Sequence, residues 1–207
     1  MKLKLLYYII FGAVGGVFVA LMNLPPYTIA VFFGMGMIIS LANLFYIIMY
    51  SQNLKKLEKY IQQNSKNPIY KSLKLLAQGT DEEFMNSLEA IVKKYKNTKY
   101  EATYGALLAM MQGNFEQAHR YNKPQLHKEV GKYTHYLIEI MAGKEIEDVP
   151  VFKQSWMNAS IEAHRAFIRK DLMTFEILSK QATNQAKGIQ YYGNYYTFKR
   201  MRGRLSE

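Results

Sequence analysis

Two long stretches without a charged residue open the chain, at residues 5–24 and 27–50. Each is about as long as the ~20 apolar residues that cross the hydrocarbon core of a bilayer as a helix. Pro25 and Pro26 end the first helix, because proline has no backbone N–H to donate and disfavours helix in the residue before it. A connection this short makes the two helices antiparallel neighbours. The pattern predicts a two-helix transmembrane hairpin within residues 1–52.

A cleaved signal peptide is the alternative interpretation of the first stretch, since Lys2 and Lys4 suit its basic start. A second apolar stretch follows almost at once, which favours the hairpin. Lys55, Lys56 and Lys59 follow the second span, and the loop between the spans carries no charge. The positive-inside rule therefore predicts a multi-pass protein of the plasma membrane with both termini in the cytoplasm.

Small residues four positions apart lie within both predicted spans, where they let helix backbones approach closely. They allow either homo-oligomerisation through the membrane or packing of the two spans on each other, and the hairpin favours the second. No Asp, Glu, Lys, Arg or His lies within either span, so neither a proton relay nor an ion pathway is predicted. The predicted helix-packing residues are Gly12, Gly16, Ala30, Gly34, Gly36 and Ser40.

Hydrophobic residues recur with helical spacing through the rest of the chain, without the alternation typical of strands. Leu54, Leu57 and Ile61 predict a basic juxtamembrane helix at residues 53–66. Residues 67–207 predict a cytoplasmic all-α domain. Its helices are predicted to begin at Pro68, at a capping box of Thr80 and Glu83, at Thr98, Phe115 and Pro124, and after Pro150, Asp171 and Gly188.

Turns that end one apolar helix and begin another recur along this domain, 34, 30 and 27 residues apart. Residues 104–118, in which Ala109 and Ala118 flank a Gly-Asn-Phe-Glu turn, resemble the middle of a tetratricopeptide repeat, and residues 163–175 resemble it more weakly. The resemblance covers residues 68–186 and implies stacked helical hairpins, with a generic helical bundle as the alternative. The turns are Gly79-Thr80, Gly113-Asn114, Gly143-Lys144 and Lys170-Asp171.

Candidate chemistry is sparse. The chain has no cysteine and no phosphate-binding or zinc-protease motif, so no catalytic residue, metal site or cofactor is predicted. Of the four histidines, His127 and His135 lie eight residues apart and do not form a ligand pair one helical turn apart. An acidic turn at residues 145–148 is interpreted as a solvated loop. The sequence therefore predicts a protein that is not an enzyme.

The net charge of +11 is concentrated at the two ends of the domain. Residues 51–76 carry +5 and residues 187–207 carry +4, whereas residues 77–186 are neutral. The aromatic, basic C-terminal segment has three interpretations: a final capping helix, a contact with anionic lipid, or a nucleic-acid surface, the last being least favoured. The predicted membrane-surface contacts are Lys55, Lys56, Lys59, Lys199, Arg200, Arg202 and Arg204.

The favoured function is a membrane-anchored adaptor that binds a protein or peptide partner through its helical-repeat surface. One alternative is a non-enzymatic membrane subunit that acts through its hairpin, and another is a binder of anionic lipid or nucleic acid. Frequent Lys, Asn and Ile, with no Cys, favour a bacterial source. The predicted partner-binding residues are Tyr100, Tyr104, Tyr133, Tyr136, Arg165 and Arg169.

Overall fold

The computed structural model describes residues 12–17, 21–22, 25 and 27–205 and divides the chain into two compact units, Met1–Ile48 and Met49–Glu207. All regular secondary structure within the described residues is helical, which confirms the predicted all-α class. The second unit is called the helical domain below.

The first unit contains a helical stretch at residues 12–17 and, except for its last residue, helix α1, Tyr27–Met49. Apolar side chains of α1 are exposed at consecutive positions, including Ile38 and Ile39 at 64% and 65%. Of the predicted span at residues 5–24, only residues 12–17 and 21–22 are described; Lys2 and Lys4 lie outside the described residues. Taken over the described part of the chain, no single helix has both the length and the hydropathy needed to cross a bilayer. One pair of helical segments separated by a bent break, Phe33–Met49 and Leu54–Gln63, meets the length and hydropathy criteria only when the two are taken together.

Among the predicted helix-packing residues, Gly12 faces the side chain of Phe33 on α1. A Cβ atom added to Gly12 would lie 2.7 Å from the Phe33 ring. A Cβ atom at Gly16, Gly34 or Gly36 would meet no described atom within 4 Å. Gly12 therefore lies close to the Phe33 side chain of α1.

Nine α-helices and one short 3-10 turn lie in the described part of the helical domain. The α-helices are α2 (Leu54–Gln63), α3 (Pro68–Gln78), α4 (Asp81–Lys94), α5 (Lys99–Met111), α6 (Phe115–Asn122), α7 (Glu129–Met141), α8 (Ser155–Ile168), α9 (Leu172–Gln185) and α10 (Gly188–Leu205).

Side-chain caps begin several of these helices where the sequence predicts them. Thr80 accepts a hydrogen bond from the N–H of Glu83, and the Glu83 carboxylate accepts one from the N–H of Thr80. Asn67 caps α3, with Pro68 in the first turn. These caps pair backbone groups that a helix end leaves without a partner.

Three turns share a left-handed residue after the preceding helix. Gly113, Gly143 and Lys170 have φ values of 71°, 78° and 56°. In each, the next residue's N–H bonds to the carbonyl oxygen five residues earlier, the pattern of a Schellman motif. Gly79 has a φ of −91° and does not share this geometry.

Two predicted helix starts are corrected by the structure. Pro124 lies in a 3-10 turn, Lys123–Gln125, and α7 begins only at Glu129. The chain doubles back closely there: a Cβ atom on Gly131 would lie 1.9 Å from the carbonyl oxygen of Gln125. Likewise no helix begins at Lys144; the segment after Gly143 is irregular up to Ser155, and it contains Pro150, which has no N–H.

Consecutive helices of the domain pack on each other, and α10 also contacts α2 and α3. The N–H of Gly188 donates to the carbonyl oxygen of Ser51 (2.9 Å), and the side-chain amide of Gln52 donates to the carbonyl oxygens of Asn184 and Ala186. The last helix of the array therefore returns to its first helices.

Buried alanines repeat between two helix pairs. Ala102, Ala106 and Ala109 on α5 are buried beside α6, and Ala159, Ala163 and Ala166 on α8 are buried beside α9, each 57 residues later. Gly113 and Lys170 in the following turns have the same offset, as do the caps Asn114 and Asp171. Small residues on the first helix of each pair allow the second helix to approach closely.

Candidate functional site

The predicted partner-binding residues lie on three helices: Tyr100 and Tyr104 on α5, Tyr133 and Tyr136 on α7, and Arg165 on α8, with Arg169 at the C-terminal cap of α8. Tyr133 is only 9% exposed and lies in a cluster with Phe152 and Trp156. Its hydroxyl pairs with Ser160 Oγ at 2.7 Å. The prediction that Tyr133 contributes to a binding surface is therefore wrong: it fills the core.

Tyr136 and Arg165 are also engaged within the domain. The ring of Tyr136 packs edge-on against Phe152, with centroids 6.2 Å apart. The Arg165 guanidinium donates to the carbonyl oxygen of Ile146 and to the Glu162 carboxylate, so it fastens the loop after α7 to α8. Arg169 is exposed at the end of α8. The structure does not group these side chains with Tyr100 and Tyr104.

Tyr100 and Tyr104 instead belong to a group of five tyrosines contributed by α2, α3, the end of α4 and α5. Tyr95 and Tyr100 lie with ring centroids 5.4 Å apart. Tyr60 and Tyr70 meet edge-to-face at 5.3 Å, with a 3.1 Å hydrogen bond between their hydroxyls. We call this group the tyrosine surface: Tyr60, Tyr70, Tyr95, Tyr100 and Tyr104.

Electrostatic coupling connects the members of the tyrosine surface. Burial raises the pKa of Tyr104 to about 12, and the phenols of Tyr100, Tyr70 and Tyr95 add to the rise. Tyr104 is therefore a neutral hydroxyl at physiological pH. The five tyrosines offer apolar rings together with hydroxyl groups that donate and accept hydrogen bonds.

Lysines border the tyrosine surface. Lys94 Nζ lies 5.4 Å from the centroid of the Tyr95 ring, and Lys99 Nζ lies 5.4 Å from that of Tyr100. Both lysines are exposed, and Tyr100 is 37% exposed. The surface thus combines aromatic contact area with positive charge at its edge.

The cations predicted to touch the membrane from the C-terminus are paired with groups of the domain. Arg200 donates to the carbonyl oxygens of Leu75, Leu76 and Gly79 and forms an ion pair with Asp81. Arg204 pairs with Asp81, and Arg202 pairs with Glu176 at 2.7 Å. Lys199 lies 5.9 Å from the ring of Tyr196.

These pairs hold the basic segment against the rest of the helical domain. Arg200 binds the C-terminal carbonyls of α3, where the helix dipole is negative. Burial would raise the pKa of Asp81, but the hydrogen bonds and charges of Arg204 and Arg200 outweigh it and lower that pKa. The segment is the docked helix α10, as the capping-helix interpretation expects. Lys55, Lys56 and Lys59 lie exposed on α2.

Two histidines and a glutamate come together between α6 and α7. His119 on α6 lies 2.7 Å, Nε2 to Oε1, from Glu139 on α7. The rings of His119 and His135 have centroids 5.0 Å apart. Nitrogen and oxygen atoms of all three residues lie within 4.8 Å of one another, and each residue is half-buried.

The charges around this cluster favour an ionised carboxylate and a neutral His135. Burial would raise the pKa of Glu139, but the hydrogen bond and charge of Lys144, together with His119, lower it. Burial lowers the pKa of His135, and His119 adds to that effect. The spacing of His127 and His135 does not reveal this group; the signal in the sequence is the separation of four residues between His135 and Glu139.

Comparisons with protein families, with curated proteins and with solved structures found no match for this chain.

Proposed function

We propose that this chain is a non-enzymatic, membrane-anchored adaptor whose helical domain binds a protein or peptide partner at the cytoplasmic face. The tyrosine surface is the observation that carries the proposal. Five tyrosines from successive helices form one group with exposed lysines at its edge. Tyrosine is enriched at protein interfaces, because its ring buries a large apolar area and its hydroxyl keeps a hydrogen bond.

The charge at the edge favours one kind of partner. Lys94 and Lys99 lie beside Tyr95 and Tyr100, and both lysines are exposed. A segment that places an apolar or aromatic residue on the tyrosine rings and an acidic residue beside a lysine would complement this surface. Opposite charges at the rim mainly increase the association rate, whereas the aromatic centre supplies most of the affinity.

A tetratricopeptide-like arrangement of the domain is part of the proposal. Its support is the helix-turn-helix unit that recurs after 57 residues, with buried alanines on the first helix and an Asn or Asp cap on the second. The contact of α10 with α2 and α3 differs from an open solenoid, whose terminal helices lie far apart. The proposed binding site is therefore a patch across successive helices.

We place the membrane anchor in the first unit, as the hairpin of residues 5–24 and 27–50 with both termini in the cytoplasm of a bacterial cell. The support is that α1 contains no charged residue and exposes large apolar side chains. Exposing such an apolar surface to water is unfavourable, whereas contact with lipid or with another apolar helix would bury it.

The same exposed helix favours a second candidate function, a subunit that assembles with another membrane protein through its spans. Exchanging residues 1–50 for an unrelated two-span hairpin distinguishes the two functions. An adaptor keeps its partner after the exchange, because the tyrosine surface is unchanged. A subunit that acts through its spans loses its partner.

The third function, binding of lipid or nucleic acid by the basic C-terminus, is less favoured since Arg200, Arg202 and Arg204 already pair with acidic residues.

Substitution within the tyrosine surface tests the adaptor function. We would compare Tyr100→Ala with Tyr195→Ala in the full chain and quantify proteins that co-purify at high salt. Tyr195, on α10, is a matched control because both side chains are 37% exposed. We expect Tyr100→Ala to weaken partner retention at least about tenfold and Tyr195→Ala to leave it unchanged. Equal retention by both variants would contradict the proposal.

A further inference from the structure

We propose that His119, His135 and Glu139 bind one Zn²⁺ ion between α6 and α7. His135 and Glu139 lie four residues apart on α7, so their side chains leave the same face of the helix. His119 on α6 faces them, and its Nε2 is 2.7 Å from Glu139 Oε1. Potential ligand atoms of the three residues lie within 4.8 Å of one another. This site lies outside the tyrosine surface and does not depend on the adaptor function.

The separations suit a small ion after minor side-chain rotation. Zinc binds histidine nitrogen and carboxylate oxygen at about 2.0–2.2 Å, so ligand atoms around a tetrahedral ion are about 3.3–3.5 Å apart. All the separations are within 4.8 Å, so rotation about the side-chain bonds can bring the ligand atoms to that spacing. His119 Nε2 and Glu139 Oε1 would exchange their mutual contact for contacts with the ion.

The ligand set selects the class of metal. Two imidazoles with one carboxylate favour zinc over magnesium or calcium, which prefer sets made of oxygen atoms alone. Three protein ligands leave the fourth position of a tetrahedral ion to water. Each side chain is half-buried, so solvent can reach the ion while the ligands remain held by their helices.

A fourth residue orients the carboxylate. Lys144 Nζ lies 2.7 Å from Glu139 Oε2, the oxygen that does not face His119. This contact can persist while Oε1 binds the ion, in the manner of the outer partners that fix metal-binding carboxylates. Lys144 directly follows Gly143, whose left-handed turn ends α7, so the turn itself positions the ammonium group.

Metal titration of the full chain, without a histidine tag, tests the site. Co²⁺ is the spectroscopic probe, and Zn²⁺ affinity is measured by competition with a chromophoric chelator. We expect one equivalent of Co²⁺ to give visible absorption of the intensity typical of four-coordinate ions, and Zn²⁺ to displace it. The proposal would be overturned if the unaltered chain bound neither Co²⁺ nor Zn²⁺ saturably, or if bound Co²⁺ gave only the spectrum of a six-coordinate ion.

Variants assign the ligands. His135→Asn and Glu139→Gln keep the approximate shape of each side chain, and both should weaken Zn²⁺ binding at least about tenfold. His127→Asn is the matched control, because His127 is exposed and lies outside the cluster. This variant should bind Zn²⁺ with the same affinity as the unaltered chain. Circular dichroism in a chelator confirms that each variant is folded. Unchanged affinity in both ligand variants, or equal loss in the control, would overturn the assignment.

Discussion

Arg200 in the last helix donates a 2.6 Å hydrogen bond from Nε to the carbonyl oxygen of Leu76, 124 residues earlier in the chain. The same guanidinium binds the carbonyl oxygens of Leu75 and Gly79, pairs with Asp81 and lies 5.5 Å from the centroid of the Phe84 ring. One side chain thus joins α10 to the end of α3 and the start of α4. The arrangement holds the last helix against the early helices of the domain.

We expect Arg200→Ala to lower the free energy of unfolding by about 2–4 kcal/mol, since it removes several charged hydrogen bonds and leaves Asp81 with one partner fewer. Arg200→Lys should recover only part of the loss, because an ammonium group cannot match the fork of a guanidinium. Arg202→Ala is the control, with a cost of at most about 1 kcal/mol: the Arg202 side chain is 63% exposed, against 21% for Arg200. Urea unfolding measures all three, and equal losses for Arg200→Ala and Arg202→Ala would contradict this role.

The close approach of the Gln125 backbone to Gly131, at the start of α7, is the basis of a second prediction. Gly131→Ala would place a Cβ atom 1.9 Å from the carbonyl oxygen of Gln125, so backbone must move. We expect a loss of about 2 kcal/mol or more in unfolding free energy. Gly193→Ala on α10 meets no atom within 4 Å and should be neutral or stabilising by up to about 1 kcal/mol. Trp156, the single tryptophan, reports unfolding by fluorescence. A Gly131→Ala variant as stable as Gly193→Ala would be inconsistent with this turn.

Local signals allowed much of this architecture to be predicted from the sequence. The Thr80 capping box, the Asn67-Pro68 start and the Gly113 turn act over a few residues, and each is found where it was expected. Pro124 misled because proline suits a 3-10 turn as well as a helix start, and only the contact between Gly131 and Gln125 decides between them.

Contacts distant in sequence could not be predicted. The Arg200 hydrogen bonds join residues more than 120 positions apart, and their acceptors are backbone carbonyls that carry no residue-type signal. The tyrosine surface likewise combines residues from several helices. The position of Tyr133 in the core depends on Phe152, within the irregular segment after α7, and on Trp156 in the first turn of α8, and the periodicity does not fix the path of that segment.

Tyr133 distinguishes a core role from a binding role. Tyr133→Phe removes the hydroxyl that pairs with buried Ser160 Oγ but keeps the ring among Phe152 and Trp156. We expect a loss of about 1–2 kcal/mol in unfolding free energy, because Ser160 loses a partner within the core. Retention of the partner protein should be unchanged. If Tyr133→Phe weakened retention of the partner protein without changing stability, the result would instead support a role of Tyr133 in partner binding.

Buried His164 predicts how stability depends on pH. Its Nδ1 lies 2.7 Å from the carbonyl oxygen of Ser160, its ring packs against Phe198, and burial holds its pKa below the ordinary value of 6.5. As pH falls below 6.5, the unfolded chain takes up a proton that the folded chain resists, so stability decreases.

His164→Asn keeps a side-chain N–H near the Ser160 carbonyl but cannot titrate. Its unfolding free energy should therefore change less than that of the unaltered chain between pH 7 and pH 5, measured by urea unfolding. His127→Asn, at an exposed position, should reproduce the unaltered pH dependence. If the unfolding free energies of the unaltered chain and of His164→Asn changed equally with pH, the interpretation of His164 as a buried neutral histidine would be contradicted.

Site-specific photo-crosslinking in cells tests the proposed adaptor function most directly. A photoreactive phenylalanine analogue is placed at Tyr100 within the tyrosine surface or at Tyr195 on α10, two positions of equal exposure. We predict that the analogue at position 100 forms a discrete adduct with one protein in the membrane fraction, and that position 195 does not. Adducts of the same yield and identity at both positions, or none at position 100 while the chain is folded, would contradict partner binding through the tyrosine surface.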